Sequence, residues 1–518
     1  MGISVHPTRL RALNGAAADP AGRFILYWMS QSVRTRHNPA LAHAAVSAAR
    51  LKLPLLTAFV LDESQPYLNK RHYAFLFDGL RDVKKRLEGK ALDFLVVRGK
   101  SVEIVPKMAE RGAAAVVTDC GYLRWGREVR EQVGRIVGVE MTQVEGDVVV
   151  PVEVASDKQE WAARTIRPKI HRQMETYLGS KGEDWSVDLG EIINDKLKNG
   201  EKVIDLEEIT RGFDVVDVED GFEGLKRGLE VDCVPRVVGC RGGEEEAERV
   251  LAEFLEGKLG GYAEGRNEPA NDMQSGLSPY LRFGNISAVH VARRAFAASS
   301  KRTKAGVDSF TEELIVRREL AVNFVFYAKH VYDSYSCLPN FAKTTLEEHE
   351  GDKRKYIYTY EEFEAGCTHD EYWNAAQMEI VVTGKMHGYM RMYWAKKILE
   401  WTEKPRTAIS YAIRLNNRWG LDGEDPNSYA GILWCFGLHD HGWTEREIFG
   451  KVRYMNDSGL KRKFNMGAYI KKVGELVKKH GLPPELEAVQ KRGGGQKRIT
   501  DLFEGGAGGG SKKKQRKK

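Results

Sequence analysis

No apolar run in this 518-residue chain approaches the ~20 residues that a membrane-crossing helix needs. A membrane partner is therefore not expected. The opening residues, MGISVHPTRL, hold no signal-peptide core and no Ser or Thr at the sixth position, so neither secretion nor myristoylation is expected. Cysteine is scarce: Cys120, Cys233, Cys240, Cys337, Cys367 and Cys435 form no CxxC motif and match no metal-ligand spacing. The expectation is reduced thiols in an intracellular protein, with no metal site. No G-x-G-x-x-G follows any strand-like segment, which disfavours a nicotinamide dinucleotide site. Net charge is also thinly spread. Of the formal +7, six charges lie in the last seven residues, KKKQRKK (512–518), and the remainder balances 74 basic against 73 acidic residues. A nucleic-acid partner must therefore be met by a local basic patch rather than by the overall field.

Hydrophobic content of 42% and charged content of 30% are ordinary for a globular chain long enough to build two cores. From residue 23 the pattern alternates. RFILYWM, LPLLTAFVL, DFLVVRG and AAAVVTDC read as strands, with amphipathic helical segments between them, including a long one near 70–88. Such alternation predicts βαβ crossovers and a parallel, doubly wound sheet over residues 20–150. Residues 151–241, glycine-rich and acidic, read as a connector. Residues 242–485 read as an all-α domain with helices near 285–299, 308–330, 371–402 and 404–417. The segment 486–518 reads as a disordered tail.

Three of ten tryptophans, Trp373, Trp394 and Trp401, fall within 29 positions. Trp394 and Trp401 are seven apart, so on one helix they share a face about two turns, roughly 10 Å, apart. Such indoles pack a core or relay an electron, and spacing alone leaves both open. QSGLSPYLRFG (274–284) places small residues and hydroxyls before a helix, which suits a phosphate or a plain N-cap. Arg391 and Asp422 suit a buried ion pair. Glu313 and Arg317 stand at i,i+4, the spacing of a solvated helix pair. Lys451, Arg453, Lys461, Arg462 and Lys463 cluster around an Asn-Asp-Ser-Gly turn, suited to phosphate contacts or to a solvated face.

VRTRHNPAL, YAEGRNEP, QSGLSPYLRFG, EELIVRREL, LDGEDPNSYAGILW and GKVRYMNDSGLKRKF occur in that order. Together with the tryptophan segment they resemble the class II cyclobutane-pyrimidine-dimer photolyases over roughly residues 20–485. The resemblance implies an FAD-dependent, light-driven lyase that repairs these dimers in double-stranded DNA by electron transfer from excited reduced flavin. It places Ser275, Gly276, Leu277 and Ser278 at the FAD pyrophosphate, with Tyr262 and Arg266 flanking the cofactor. Arg391 and Asp422 lie over the flavin's reactive edge. Asn416, easily confused with Asn417, stands beside flavin N5 and tunes its redox states. Glu313 enters the lesion pocket, where a carboxyl held protonated by apolar surroundings donates to a thymine carbonyl. Met392 and Trp434 pack against the flipped dimer. Trp394, Trp373 and Trp401, in that order, become a relay that reduces the flavin.

The basic cluster becomes a DNA-facing hairpin in the same reading. One departure stands beside it: His441 replaces the family's usual Arg, so a contact filling the gap left by the lesion is weaker or pH-sensitive. A deazaflavin, a folate or an empty antenna site all fit the N-terminal domain. QKRITDLF (Gln496–Phe503) resembles a sliding-clamp box, with Ile499 and Phe503 in place and Leu502 where an aromatic is usual. The basic tail suits nuclear import or nonspecific nucleic-acid contact. A monomer is expected. The alternative is a cryptochrome-like blue-light receptor on the same scaffold. A bland third reading, a cofactor-free DNA-binding scaffold, predicts colourless protein.

Overall fold

The computed structural model describes residues 5–90, 92–179, 185, 204–219 and 231–492. The expected clamp box and basic tail lie outside them. Seven strands form one sheet: β1 (Leu10–Ala12), β2 (Phe24–Met29), β3 (Leu55–Leu61), β4 (Asp93–Arg98), β5 (Ala113–Asp119), β6 (Glu140–Val144) and β7 (Asp214–Val215), in the order β1-β6-β5-β2-β3-β4-β7. The inner five are parallel, as the alternation predicts. Both edges are antiparallel, closed by β1 and β7. In β2, Ile25, Tyr27 and Met29 join one core while Phe24, Leu26 and Trp28 join the other. Burial on both faces explains why these strands read as continuous apolar runs.

The stretch 151–241 is more regular than its composition suggests. It holds a 16-residue helix, Ala163–Leu178, and supplies β7. The packed region also runs past 485: Pro484–Arg492 is a helix, and Leu486 is buried in the helical core. A single apolar cluster spans the sheet and the first helices of the second domain, with Phe75 against Tyr280 and Phe283 at ring separations of 5.3 and 4.9 Å. Gly284 marks the closest approach. Its φ is +68°, and a Cβ there would lie 2.2 Å from the Gln31 carbonyl oxygen.

Two of the local breaks in the helical domain bear on the site. The segment 371–402 is not one helix. Gly384, at φ +67°, ends Glu371–Thr383, and a new helix, Gly388–Glu400, starts after His387. The second break is a π-turn over Glu312–Arg317 inside the expected helix at 308–330.

Candidate active site

The reversal at Gly384 decides the fate of the tryptophans. On one straight helix, Trp373 and Trp394 would stand roughly 30 Å apart at 1.5 Å per residue. Folded back, their rings stack at 6.1 Å and 9°, and the Trp373 indole N–H donates to the Trp394 carbonyl at 3.0 Å. Trp401 meets Trp373 edge-on at 6.1 Å. Trp373 thus lies between the other two, and all three are buried. Gln377 Oε1 accepts the Trp394 indole N–H at 2.9 Å.

One turn before Trp394, Arg391 Nη2 donates to Asp422 Oδ1 and Oδ2 at 3.1 and 3.3 Å. The pair is mostly buried, and Arg391 Nε has no partner among the described residues. Asn416 stands close behind Asp422, because the Gly420 N–H closes the helix Pro405–Trp419 on the Asn416 carbonyl. The network around it separates the two adjacent asparagines. Asn417 Oδ1 accepts from Asn416 Nδ2, Ser428 Oγ and the Glu424 N–H, and its Nδ2 donates to Glu424 and Tyr429. Asn417 is spent. Asn416 donates to Asn417 and Ser428, which fixes its amide orientation and leaves Oδ1 buried without a partner among the described residues. Beneath this network Glu424 is pushed up to about 7 by burial, against the Tyr429 hydrogen bond and the Arg282 charge.

The loop 275–278 is joined to the same region through Arg282, whose Nε donates to the Gly423 carbonyl at 2.9 Å. Gly276 has φ +73°, a conformation that favours glycine. The helix it precedes is short, Ser278–Arg282, and no side chain caps it. Leu277 is 1% exposed and packs in the core, and its backbone N–H donates to Ser275 Oγ at 3.4 Å. Ser275, Gly276 and Ser278 are accessible. Nearby, His387 is hydrogen-bonded to the Arg266 carbonyl at 3.0 Å, and Tyr262 is buried beneath Arg266. Two unpartnered polar atoms of opposite sense beside a buried ion pair, with an uncapped glycine loop, are what a polar ring carrying a diphosphate requires. The residues present therefore fit FAD.

Glu313 departs from expectation. The π-turn carries i→i+5 spacing, which sets Arg317 against Glu312 at 3.1 Å instead of against Glu313. Glu312 is further held by Arg167 at 2.7 and 3.0 Å. Glu313 pairs with Arg266 Nη2 at 2.7 Å, and its side chain is 39% exposed. It is not enclosed by apolar groups. Burial works against the Arg266 charge, but Glu313 more than offsets this and raises the guanidinium pKa. Met392 is 40% exposed and lies beside Cys435, whose thiol faces the Met392 carbonyl. Trp434 is half-buried, with Arg317 over its ring at 5.4 Å and His439 edge-on at 5.4 Å.

The basic segment is not a hairpin throughout. Only the bridge Arg446–Gly450 is antiparallel, and Asp457–Lys463 is a helix capped by Asn456 Oδ1 on the Gly459 N–H. Asp457 in its first turn and Lys461, Arg462 and Lys463 in its last complement the helix dipole. His441 stacks on Trp443 at 5.0 Å and 27°, Arg453 lies over the Trp443 ring at 4.9 Å, and the Trp443 backbone N–H donates to the Lys451 carbonyl. Lys461 instead pairs with Asp457 and lies over Tyr372, and Arg462 is exposed. Sequence reading missed Trp443 and Trp161, both exposed indoles. Arg164 lies over the Trp161 ring at 4.3 Å, and the Trp161 carbonyl is 2.8 Å from His439 Nδ1. An indole in a stretch without apolar periodicity was the available signal.

A model of the DNA photolyase family matches residues 25–186. The chain is 44% identical over 477 residues to the deoxyribodipyrimidine photo-lyase of Methanothermobacter thermautotrophicus, covering 91% of this chain and 99% of that one. The chain belongs to the DNA photolyase family. The Arabidopsis thaliana deoxyribodipyrimidine photo-lyase is 39% identical, with 92% and 94% covered. Among solved structures, an archaeal photolyase from Sulfolobus tokodaii, containing two FAD molecules, superposes with a TM-score of 0.62. It shares 17% identity and covers 90% of this chain and 94% of its own. At that identity it speaks for the fold alone. This photolyase is accordingly a DNA-repair flavoprotein enzyme.

A cavity lies at the carboxyl ends of the parallel strands. Chain order reverses at β2, whose neighbours are β3 on one side and β5 on the other, the place where open α/β sheets bind ligands. The space, of about 120 Å³, is lined by Trp28, Gln31, Tyr73, Arg130 and Arg282, among others. Tyr73 Oη, Arg130 Nε and Arg282 Nη2 are buried there without partners among the described residues.

Proposed function

We propose that this photolyase repairs cyclobutane pyrimidine dimers in DNA, as a class II member of its family. The open Asn416 Oδ1 beside the Arg391–Asp422 pair, one helical turn from the stacked indoles, carries the reading. Bound reduced FAD supplies the light-driven electron that opens the cyclobutane ring and recovers it afterwards. The backbone of residues 275–278 would hold the diphosphate, and Asn416, Arg391 and Asp422 would hold the ring. Met392 and Trp434 form the apolar wall against which an extruded dimer rests, and Glu313 with Arg266 sets the polarity of that pocket. Extrusion is cheaper for a damaged pair than for an intact one, which contributes to selectivity. Lys451, Arg453, Lys461, Arg462, His441 and Trp443 meet the DNA backbone and the gap left by the lesion. Trp394, Trp373 and Trp401 carry an electron inward to restore the reduced state.

The cavity at the sheet's switch point is the proposed antenna site, for a deazaflavin or a folate. From sequence alone, residues 512–518 are proposed to direct the chain to the nucleus, and Gln496–Phe503 to meet a sliding clamp. Illumination of reduced protein with dimer-containing DNA, read by chromatography as conversion of the dimer oligonucleotide to one with two intact adjacent thymines, tests the central proposal. Repair confined to 6-4 lesions, or no light-dependent repair, would sink it. Trp394→Phe should abolish photoreduction of oxidised protein and spare repair by protein reduced beforehand.

A further inference from the structure

The buried indoles open onto a surface groove whose contents the repair reaction does not use. Its space, of about 800 Å³, is lined by Lys355, Tyr356, His369, Lys397, Trp401 and Tyr454, among others. Two rings meet Trp401 edge-on: His369, which lines the groove, at 4.8 Å and Tyr358 behind it at 5.8 Å. They are joined to each other. Tyr358 Oη lies 2.7 Å from His369 Nδ1 and accepts the His369 backbone N–H at 2.9 Å. The Tyr358 backbone N–H donates to the Trp401 carbonyl at 3.2 Å, so the phenol is tied to the indole it faces. Tyr356 stacks on the other face of His369 at 3.6 Å and 21°. Tyr358 is 8% exposed, whereas His369 is open to the groove.

We propose that Tyr358 and His369 form the outer terminus of the tryptophan chain, a proton-coupled electron donor to oxidised Trp401. The proposal rests on reading the three indoles as a relay. A phenol gives up an electron readily only if its proton leaves at the same time, and a hydrogen-bonded imidazole nitrogen is a suitable acceptor. In the step, the Trp401 radical cation takes one electron from Tyr358, and the phenol proton crosses to Nδ1. The products are neutral Trp401, a neutral Tyr358 phenoxyl radical and a His369 imidazolium. Total charge and electron count are the same before and after. The oxidising equivalent on Trp401 comes from light-driven transfer inward through Trp394 and Trp373.

The surroundings favour this direction. Lys397 Nζ stands 5.5 Å from the Trp401 ring and raises the energy of a positive charge there, partly offset by its partner Glu400. Burial lowers the His369 pKa, Asp370 opposes this, and Lys397 and Lys355 reinforce it, so the ring is neutral and able to accept at pH 7. Burial raises the Tyr358 pKa, which keeps the phenol protonated until it is oxidised. The groups facing His369 are Asp370, Asp457, Lys355, Lys397, Tyr356 and Tyr358. Because His369 is exposed, its new proton passes to solvent, and return of the electron from the cofactor must await a proton.

Flash excitation of the FAD-loaded, oxidised protein, read by transient absorption and electron paramagnetic resonance, tests the pair. Wild-type protein should show a tryptophan radical replaced by a tyrosyl radical. Tyr358→Phe, which keeps the ring packing, should lose the tyrosyl signal and retain the tryptophan one. His369→Gln should do the same, because an amide accepts a hydrogen bond but not the proton. Acidification through the His369 titration should diminish the tyrosyl yield while leaving the tryptophan radical. A tyrosyl signal surviving in Tyr358→Phe, or a wild-type signal that ends on tryptophan, overturns the proposal. If radicals form undiminished in Trp394→Phe, the relay reading itself fails. A Trp394-dependent radical that stops at Trp401 defeats only the terminal pair. Without illumination, Tyr358→Phe should move the His369 imidazole titration followed by NMR, and an unmoved titration shows that the hydrogen bond is not formed in solution.

Discussion

Replacing Asn416 and Asn417 one at a time separates a residue that holds the fold from one that faces the cofactor. Asn417 makes five side-chain hydrogen bonds, three as acceptor and two as donor, all buried. At about 1 kcal/mol each, reduced because several partners are shared, Asn417→Ala should cost roughly 3–4 kcal/mol of stability. Asn416→Ala removes only the two bonds its Nδ2 donates, and the Asn417 carbonyl keeps two other donors, so about 1–2 kcal/mol is expected. The flavin readout should rank the other way. Asn416→Ala removes the open Oδ1 acceptor beside Arg391 and Asp422 and should shift the flavin spectrum and the yield of photoreduction. Asn417→Ala, where folded, should leave both near wild type. Denaturant unfolding and absorption spectra of the two loaded variants provide the comparison. If Asn417→Ala perturbs the flavin more than Asn416→Ala at equal occupancy, the assignment is reversed and the reasoning fails.

Other outcomes follow from single features. A Cβ at Gly276 would make only an ordinary 3.5 Å contact with Val250 Cγ1, but φ is +73°, so Gly276→Ala should cost about 1–2 kcal/mol and weaken FAD binding roughly 5–30-fold, with Gly276→Asn milder. Equal FAD affinities by fluorescence titration would remove the argument from φ. Burial holds His72 down to about 3 and His439 to about 4, so the unfolded chain binds more protons below the ordinary value near 6.5. Stability is then fully present above pH 6.5 and falls as pH drops toward 4. Denaturant midpoints that stay level across that window would contradict this. His441→Arg should strengthen binding to dimer-containing duplex and steepen the salt dependence by about 0.9 in log–log slope, read by fluorescence anisotropy. An unchanged slope places residue 441 away from phosphate.

Much of the molecule follows from local chemistry. The four inner strands of 24–119 are legible because burial on both faces makes them unbroken apolar runs bounded by polar turns. The phosphate-type loop is legible because Gly276 and its serines are small where a backbone must stay open. The edge strand β7 was hidden, since two exposed residues pair through backbone alone and leave no side-chain pattern. The partner of Glu313 was hidden too, because the i,i+4 rule presumes an α-helix and the π-turn shifts the register by one.

By itself, the ordered succession of motifs determined the family, and the periodicity determined an α/β domain followed by a helical one. The tryptophans could be counted from the sequence but not ordered. Trp373 and Trp394 are 21 residues apart, and only the reversal at Gly384 stacks them at 6.1 Å. Nor could adjacent asparagines be told apart, because identical side chains differ only in which hydrogen bonds the folded neighbours leave unmade. Proximity and satisfaction are properties of the packed chain, and sequence spacing carries neither across a turn.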